Sequence, residues 1–140
     1  MYKKLLQSVF CLMLVLAVSA PSLSAAGKTV KVKVTFISAD MVSNNHVGNE
    51  WWSGGFVNGK ELGEGSSIVL NVSASGSVNL KAEAQEQDKY PDNGAATASV
   101  KVSSMGKSIT KALNVTVVEN RGRYSGNTAK WKFIFKVEKV

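Results

Sequence analysis

From Val30 onward, apolar and polar residues alternate in short runs. A period of two is the mark of strands with one buried face. Val30, Val32, Val34 and Phe36 alternate with Lys31, Lys33 and Thr35. Ile68, Leu70 and Val72 repeat the pattern, as do Val78, Leu80, Ala82 and Ala84 against Asn79, Lys81 and Glu83. Ala98, Val100 and Val102 follow, then Leu113, Val115 and Val117. The last run sets Trp131, Phe133, Phe135 and Val137 against Lys132 and Lys136. A further strand, from about Val47 to Val57, carries Trp51, Trp52 and Phe56. Its Ser53-Gly54-Gly55 predicts a bulge or sharp bend.

These are about seven strands, separated by Gly, Asn, Ser and Pro clusters, with no amphipathic helix among them. That spacing predicts an all-β fold. One apolar face per strand predicts an antiparallel two-sheet β-sandwich, of C2-like or immunoglobulin-like size. Val57-Asn58-Gly59-Lys60 predicts a tight turn with positive φ at both central residues. The lysines of the first and last strands either guard sheet edges against pairing or form an anion-binding stripe.

If every connection reverses the chain, the loops alternate between two ends. Ser38–Gly48, Ala74–Gly76 and Ser103–Lys107 then share one end. The opening stretch, the Asn58-Gly59 turn and Glu119–Asn127 share the other. This places Glu86, Asp88 and Asp92 near Glu119, Arg121 and Arg123.

Residues 1–26 break the alternation. Lys3 and Lys4 precede an apolar run from Val9 to Ala20, too short for a bilayer of ~30 Å. Ser24-Ala25-Ala26 suits a small-residue cleavage site, so the segment reads as a secretory signal peptide of bacterial type. Residues 27–140 then form one domain, secreted or periplasmic, with no transmembrane segment after cleavage. Cys11, the only cysteine, leaves with the signal. Disulfides, thiol catalysis and cysteine-ligated zinc go with it. Lys3 and Lys4 leave too, so 15 Lys and Arg stand against 10 Asp and Glu, a net +5. That balance favours anionic partners such as a cell-envelope polymer. No basic run or nucleic-acid module points to nucleic acid.

The densest chemistry is Glu86-Gln87-Asp88-Lys89-Tyr90-Pro91-Asp92-Asn93-Gly94. Carboxylates and amide oxygens at this density are suited to a hard cation such as Ca2+. The alternative is a Pro-Asp-Asn-Gly turn, its charge met by Arg121 and Arg123. The pattern Glu-x-Asp-x-x-x-Asp-x-Gly, within Leu80–Val102, resembles the third calcium loop of C2-type β-sandwich domains. The resemblance implies Ca2+ held by Glu86, Asp88 and Asp92; the alternation of loops adds Glu119 to complete the site. It also implies a second acidic loop at the same end. The counterpart here, Asp40 with Asn44, Asn45 and Glu50, falls at the opposite end by the alternation of loops.

His46 is the only histidine. It has Asp40 and Glu50 near it in sequence, but no nucleophile-elbow signature accompanies it. Trp51 and Trp52 are adjacent, so they point to opposite faces of a strand. One fills the core and the other is free to stack on a sugar or bury in a partner. Trp131 is in phase with the core. Arg121, Arg123 and Tyr124 occupy a Gly-rich loop, where arginine offers a bidentate fork to a carboxylate or phosphate. These features describe a non-enzymatic binding module. Its polar loops meet a ligand at one end, with Ca2+ or without it. The alternatives are a carbohydrate-binding domain that uses an outward Trp, and a structural or assembly protein of the cell envelope.

Overall fold

The computed structural model describes residues 27–140; residues 1–26, read above as a signal peptide, lie outside the described residues. Eight strands follow one another: β1 (Thr29–Asn44), β2 (Trp51–Val57), β3 (Lys60–Leu62), β4 (Ser67–Ser73), β5 (Ser77–Glu86), β6 (Asp92–Lys101), β7 (Ser108–Val118) and β8 (Thr128–Lys139). Two single 3-10 turns, Val102–Ser104 and Gly122–Tyr124, are the only helical residues among those described. The strands form two four-stranded sheets, ordered β4-β1-β8-β7 and β3-β2-β5-β6, with every pairing antiparallel. The chain is a β-sandwich.

The alternation explains the core. Val32, Val34, Phe36, Leu113, Val115, Val117, Phe133, Phe135 and Val137 point inward from the first sheet. Val57, Val78, Leu80, Ala82, Ala84 and Val100 meet them from the second, all at most 3% exposed. Phe36 stacks on Phe133 and Phe135, at centroid distances of 5.9 and 4.9 Å. Burying each such side chain contributes roughly 1.5–3 kcal/mol. Trp131 is a core residue, as its phase predicts. Asn58 and Gly59 both take positive φ, 48° and 80°, in the expected tight turn.

Four expectations change. First, β3 is an eighth strand, too short at three residues to show a period. Second, β1 runs on to Asn44, through what reads as loop. Bulges between Phe36 and Ser38 and between Met41 and Ser43 skip Ile37 and Val42, which breaks the alternation. Third, Ser53-Gly54-Gly55 is no bulge, because β2 keeps unbroken register with β5 from Trp51 to Val57. The two glycines serve close approach on opposite faces. A Cβ on Gly55 would lie 2.8 Å from the Phe36 ring in the core, and one on Gly54 would lie 2.7 Å from the Trp52 indole outside.

Fourth, β1 and β8 are the central strands of their sheet. Their lysines therefore guard no edge. Lys31, Lys33, Lys130, Lys132 and Lys136 lie at outward positions in mid-sheet, interrupted by Asp40 and Glu138.

The extra strand also changes which loops meet. Loops 45–50, 87–91 and 119–127 share one end. The opening stretch, Asn58-Gly59, Ala74–Gly76 and 102–107 share the other. The acidic loop and the Arg121–Tyr124 loop are neighbours, as the alternation predicts. The His46 loop joins them instead of lying opposite.

Candidate functional site

Two surfaces gather the candidate residues: the three-loop end, and the outer face of the second sheet just below it.

At the loop end, Glu86, Asp88 and Glu119 each accept a backbone N–H two residues on, and Asp92 accepts from a neighbouring loop. Glu86 and Asp92 face each other as register partners where β5 and β6 meet the loop. Both are buried, at 3% exposure. The Glu86 carboxyl lies against Gly48, where any side chain would collide with it, and it accepts the Asp88 N–H at 3.3 Å. Its pKa is raised from the ordinary 4.5, first by burial and then by the Asp88 charge. Asp92 Oδ1 accepts from Asn120 Nδ2 at 2.8 Å, and its buried Oδ2 has no partner. Asp88 caps the Tyr90 N–H at 2.7 Å, and Glu119 caps that of Arg121 at 3.0 Å. Among the described residues no three of His, Cys, Asp and Glu are placed to hold one metal ion. These carboxylates build the loops.

The arginines do not neutralise them. Among the described residues the ion pairs are Lys81–Glu83 and Lys136–Glu138. The Arg121 guanidinium instead lies 4.1 Å from the Tyr90 ring centroid, with Lys89 5.6 Å away. Arg123 lies 5.7 Å from the ring of Tyr124. His46, itself in the left-handed region at φ 57°, stacks on Tyr124 at 4.6 Å. Backbone bonds tie the loops together and to the frame: Gln87 N donates to Glu50 O of the neighbouring loop, and Asn45 N to Thr128 O of β8. Tyr90 and Tyr124 remain 49% and 40% exposed.

Trp51 and Trp52 divide as adjacent strand residues must. Trp51 turns inward, packs against Trp131 with centroids 5.6 Å apart and rings tilted by 57°, and donates its indole N–H to Gly48 O. Trp52 turns outward and is half-buried, its benzo edge over Gly54. It lines an open trough of about 360 Å³ with Glu83, Gln85, Asn93, Gly94 and Ala95. Gln85 lies between Trp52 and Asn93 in register. Gln85 Nε2 donates to Asn93 Oδ1 at 2.6 Å, and Gln87 Nε2 donates to Gln85 Oε1 at 3.3 Å. Further along β5 and β6 the same face holds a second depression, about 400 Å³, lined by Asn79, Lys81, Thr97 and Ser99.

Gln85 and Tyr90 are the site residues that sequence reasoning does not single out. Gln85 has a signal in hindsight: it continues the outward series Asn79, Lys81 and Glu83 of β5. Asn93 is legible as an amide oxygen of the acidic stretch, but it lies on β6 and lines the trough.

No protein-family model and no curated protein matches the chain.

Proposed function

We propose that the chain is an exported, non-enzymatic binding module that takes a carbohydrate chain along the outer face of β5 and β6. The trough beside Trp52 carries the reading. A saccharide offers an apolar C–H face and a rim of hydroxyls. Trp52 offers a large rigid apolar surface, and Gln85, Asn93 and Glu83 offer donors and acceptors beside it. A mostly apolar concavity with a few placed polar groups is the usual form of a ligand site. The second depression continues the surface down the same strand pair. From Asn79 to Gln85 the combined surface covers seven residues, roughly 20 Å of strand, longer than a single sugar ring.

The trough favours binding over hydrolysis. It has one carboxylate, Glu83, and that group is paired with Lys81. Glycoside cleavage by the usual routes takes two.

Tryptophan emission titrated with soluble polysaccharide fractions tests the proposal. The native chain should respond saturably to at least one fraction, and Trp52→Ala should abolish the response while melting stays close to the parent. Retained binding in a folded Trp52→Ala variant overturns the assignment.

A further inference from the structure

We propose that the three-loop end is an oxyanion subsite, built from Arg121 and Arg123, that selects an acidic glycan for the trough beside Trp52. The inference rests on the carbohydrate reading for its ligand, and on the loop end alone for its chemistry.

Arg121 and Arg123 are the guanidinium groups of this end, and Lys89 joins Arg121 over the Tyr90 ring. Lys81 and Lys136 are ion-paired. The mid-sheet lysines of β1 and β8 share their face with Asp40 and Glu138. Arg121 and Arg123 have carboxylates close in sequence, yet each lies over a tyrosine ring. The cation–π contact, at 4.1 Å for Arg121 and a looser 5.7 Å for Arg123, takes up no carboxylate. It leaves the N–H groups at the rim free to donate, in the fork that suits a carboxylate, sulfate or phosphate. It also limits the motion of the side chain, which lowers the entropy lost on binding.

The frame beneath is fixed. Glu119 caps the Arg121 N–H, Asn120 bonds to the buried Asp92, and His46 stacks on Tyr124. The end is also continuous with the trough. Gln85 and Asn93 line it at the ends of β5 and β6, and Gln87 extends the amide row into the loop that carries Tyr90. A chain lying on Trp52 would therefore present its next units to the arginines. The shared ligand chemistry is an oxyanion on a sugar, whether uronate, sulfate or phosphate.

The test uses matrices that share one backbone: dextran, carboxymethyl-dextran and dextran sulfate. Retention of the full chain is measured against salt for four forms: the parent, Arg121→Gln/Arg123→Gln, the charge-matched Lys33→Gln/Lys132→Gln, and Trp52→Ala. The parent should be retained on a charged matrix at least tenfold more strongly than on dextran. The arginine variant should lose most of that preference while melting normally. The lysine variant loses the same charge but should lose far less of the preference, and only through slower association. Arg121→Lys/Arg123→Lys should restore only part, since a lysine keeps the charge without the fork. The preferred charged matrix separates carboxylate from sulfate recognition. Equal losses in the arginine and lysine variants mean a general charge effect and overturn the inference. So does a parent with no preference for either charged matrix. The trough reading fails separately, if Trp52→Ala responds like the parent to every polysaccharide.

Discussion

Gly54 and Gly55 are adjacent in sequence, and the same substitution at each should act in opposite ways. A Cβ at Gly55 would lie 2.8 Å from two atoms of the Phe36 ring and 3.0 Å from Phe135. Those rings are stacked at 4.9 Å and at most 2% exposed, so neither has space to yield. Overpacking of this kind costs about 1–3 kcal/mol. Replacing glycine also narrows the unfolded ensemble, which returns about 0.4–1 kcal/mol. Gly55→Ala should therefore lose roughly 1–2 kcal/mol. At Gly54 the Cβ would lie 2.7 Å from Trp52, but from the far edge of a half-buried indole that is free to swing outward. Gly54→Ala should stay within about 0.5 kcal/mol of the parent, with Trp52 lifted off the sheet. Urea unfolding followed by circular dichroism measures the first effect. For a slope near the low end of 1–3 kcal/mol per molar, the Gly55→Ala midpoint falls by about 1 M. Native-state tryptophan emission and polysaccharide binding measure the second, and only Gly54→Ala should change them. Equal midpoints for the two variants, or a Gly55→Ala variant as stable as the parent, would refute the face assignment.

Glu86→Gln should stabilise the fold at neutral pH. Burial raises the folded-state pKa of Glu86 above its ordinary 4.5, so the native state holds this proton more tightly than the unfolded chain. Stability then falls as pH rises from that value through the folded pKa, and stays lower beyond it. Melting curves of parent and variant should coincide below pH 4.5 and separate above it; a gap independent of pH would contradict the mechanism. Asn120→Ala, at an exposed loop residue, should cost about 1–3 kcal/mol, because it leaves the buried Asp92 with both oxygens unpartnered; a neutral result in urea unfolding would mean that Asp92 finds another donor. Millimolar Ca2+ and EDTA should give the same melting temperature if Glu86, Asp88 and Glu119 keep their backbone N–H donors and Asp92 keeps Asn120. A rise with Ca2+ would show that the loop end rearranges around an ion, because a ligand of the native state must stabilise it.

The fold class was legible because seven strands carry clean alternation, and burying one face of each leaves little choice but two facing sheets. What escaped was local. The bulges that skip Ile37 and Val42 turn the second half of β1 into apparent loop, and β3 has too few residues to show a period. That one short strand reversed the placement of the His46 loop, since a count of chain reversals carries any error forward. At the site, the types were legible and the partners were not. Arg121 near Glu86 and Asp88 in space suggests an ion pair. Only the structure shows that the carboxylates had been taken by backbone N–H groups of their own loops, which left the arginine to Tyr90.

The central position of the lysine-bearing strands bears on function in a way that their alternation did not. On an edge strand, a lysine discourages pairing and needs no ligand to explain it. In mid-sheet that reason disappears. Lys31, Lys33, Lys130, Lys132 and Lys136 give the first sheet a basic outer face, while the second carries Trp52, Gln85 and Asn93. The two faces suit different stages of one encounter. A broad positive field raises the local concentration of an anionic polymer and is weakened by salt. In the proposed complex, the Trp52 trough with Arg121 and Arg123 beyond it would contribute contacts that depend on shape. Association rates should therefore follow the lysines and ionic strength, whereas dissociation rates should follow Trp52, Arg121 and Arg123. Surface-plasmon kinetics on carboxymethyl-dextran separate the two, and a Lys33→Gln/Lys132→Gln variant that alters only dissociation would reverse the division.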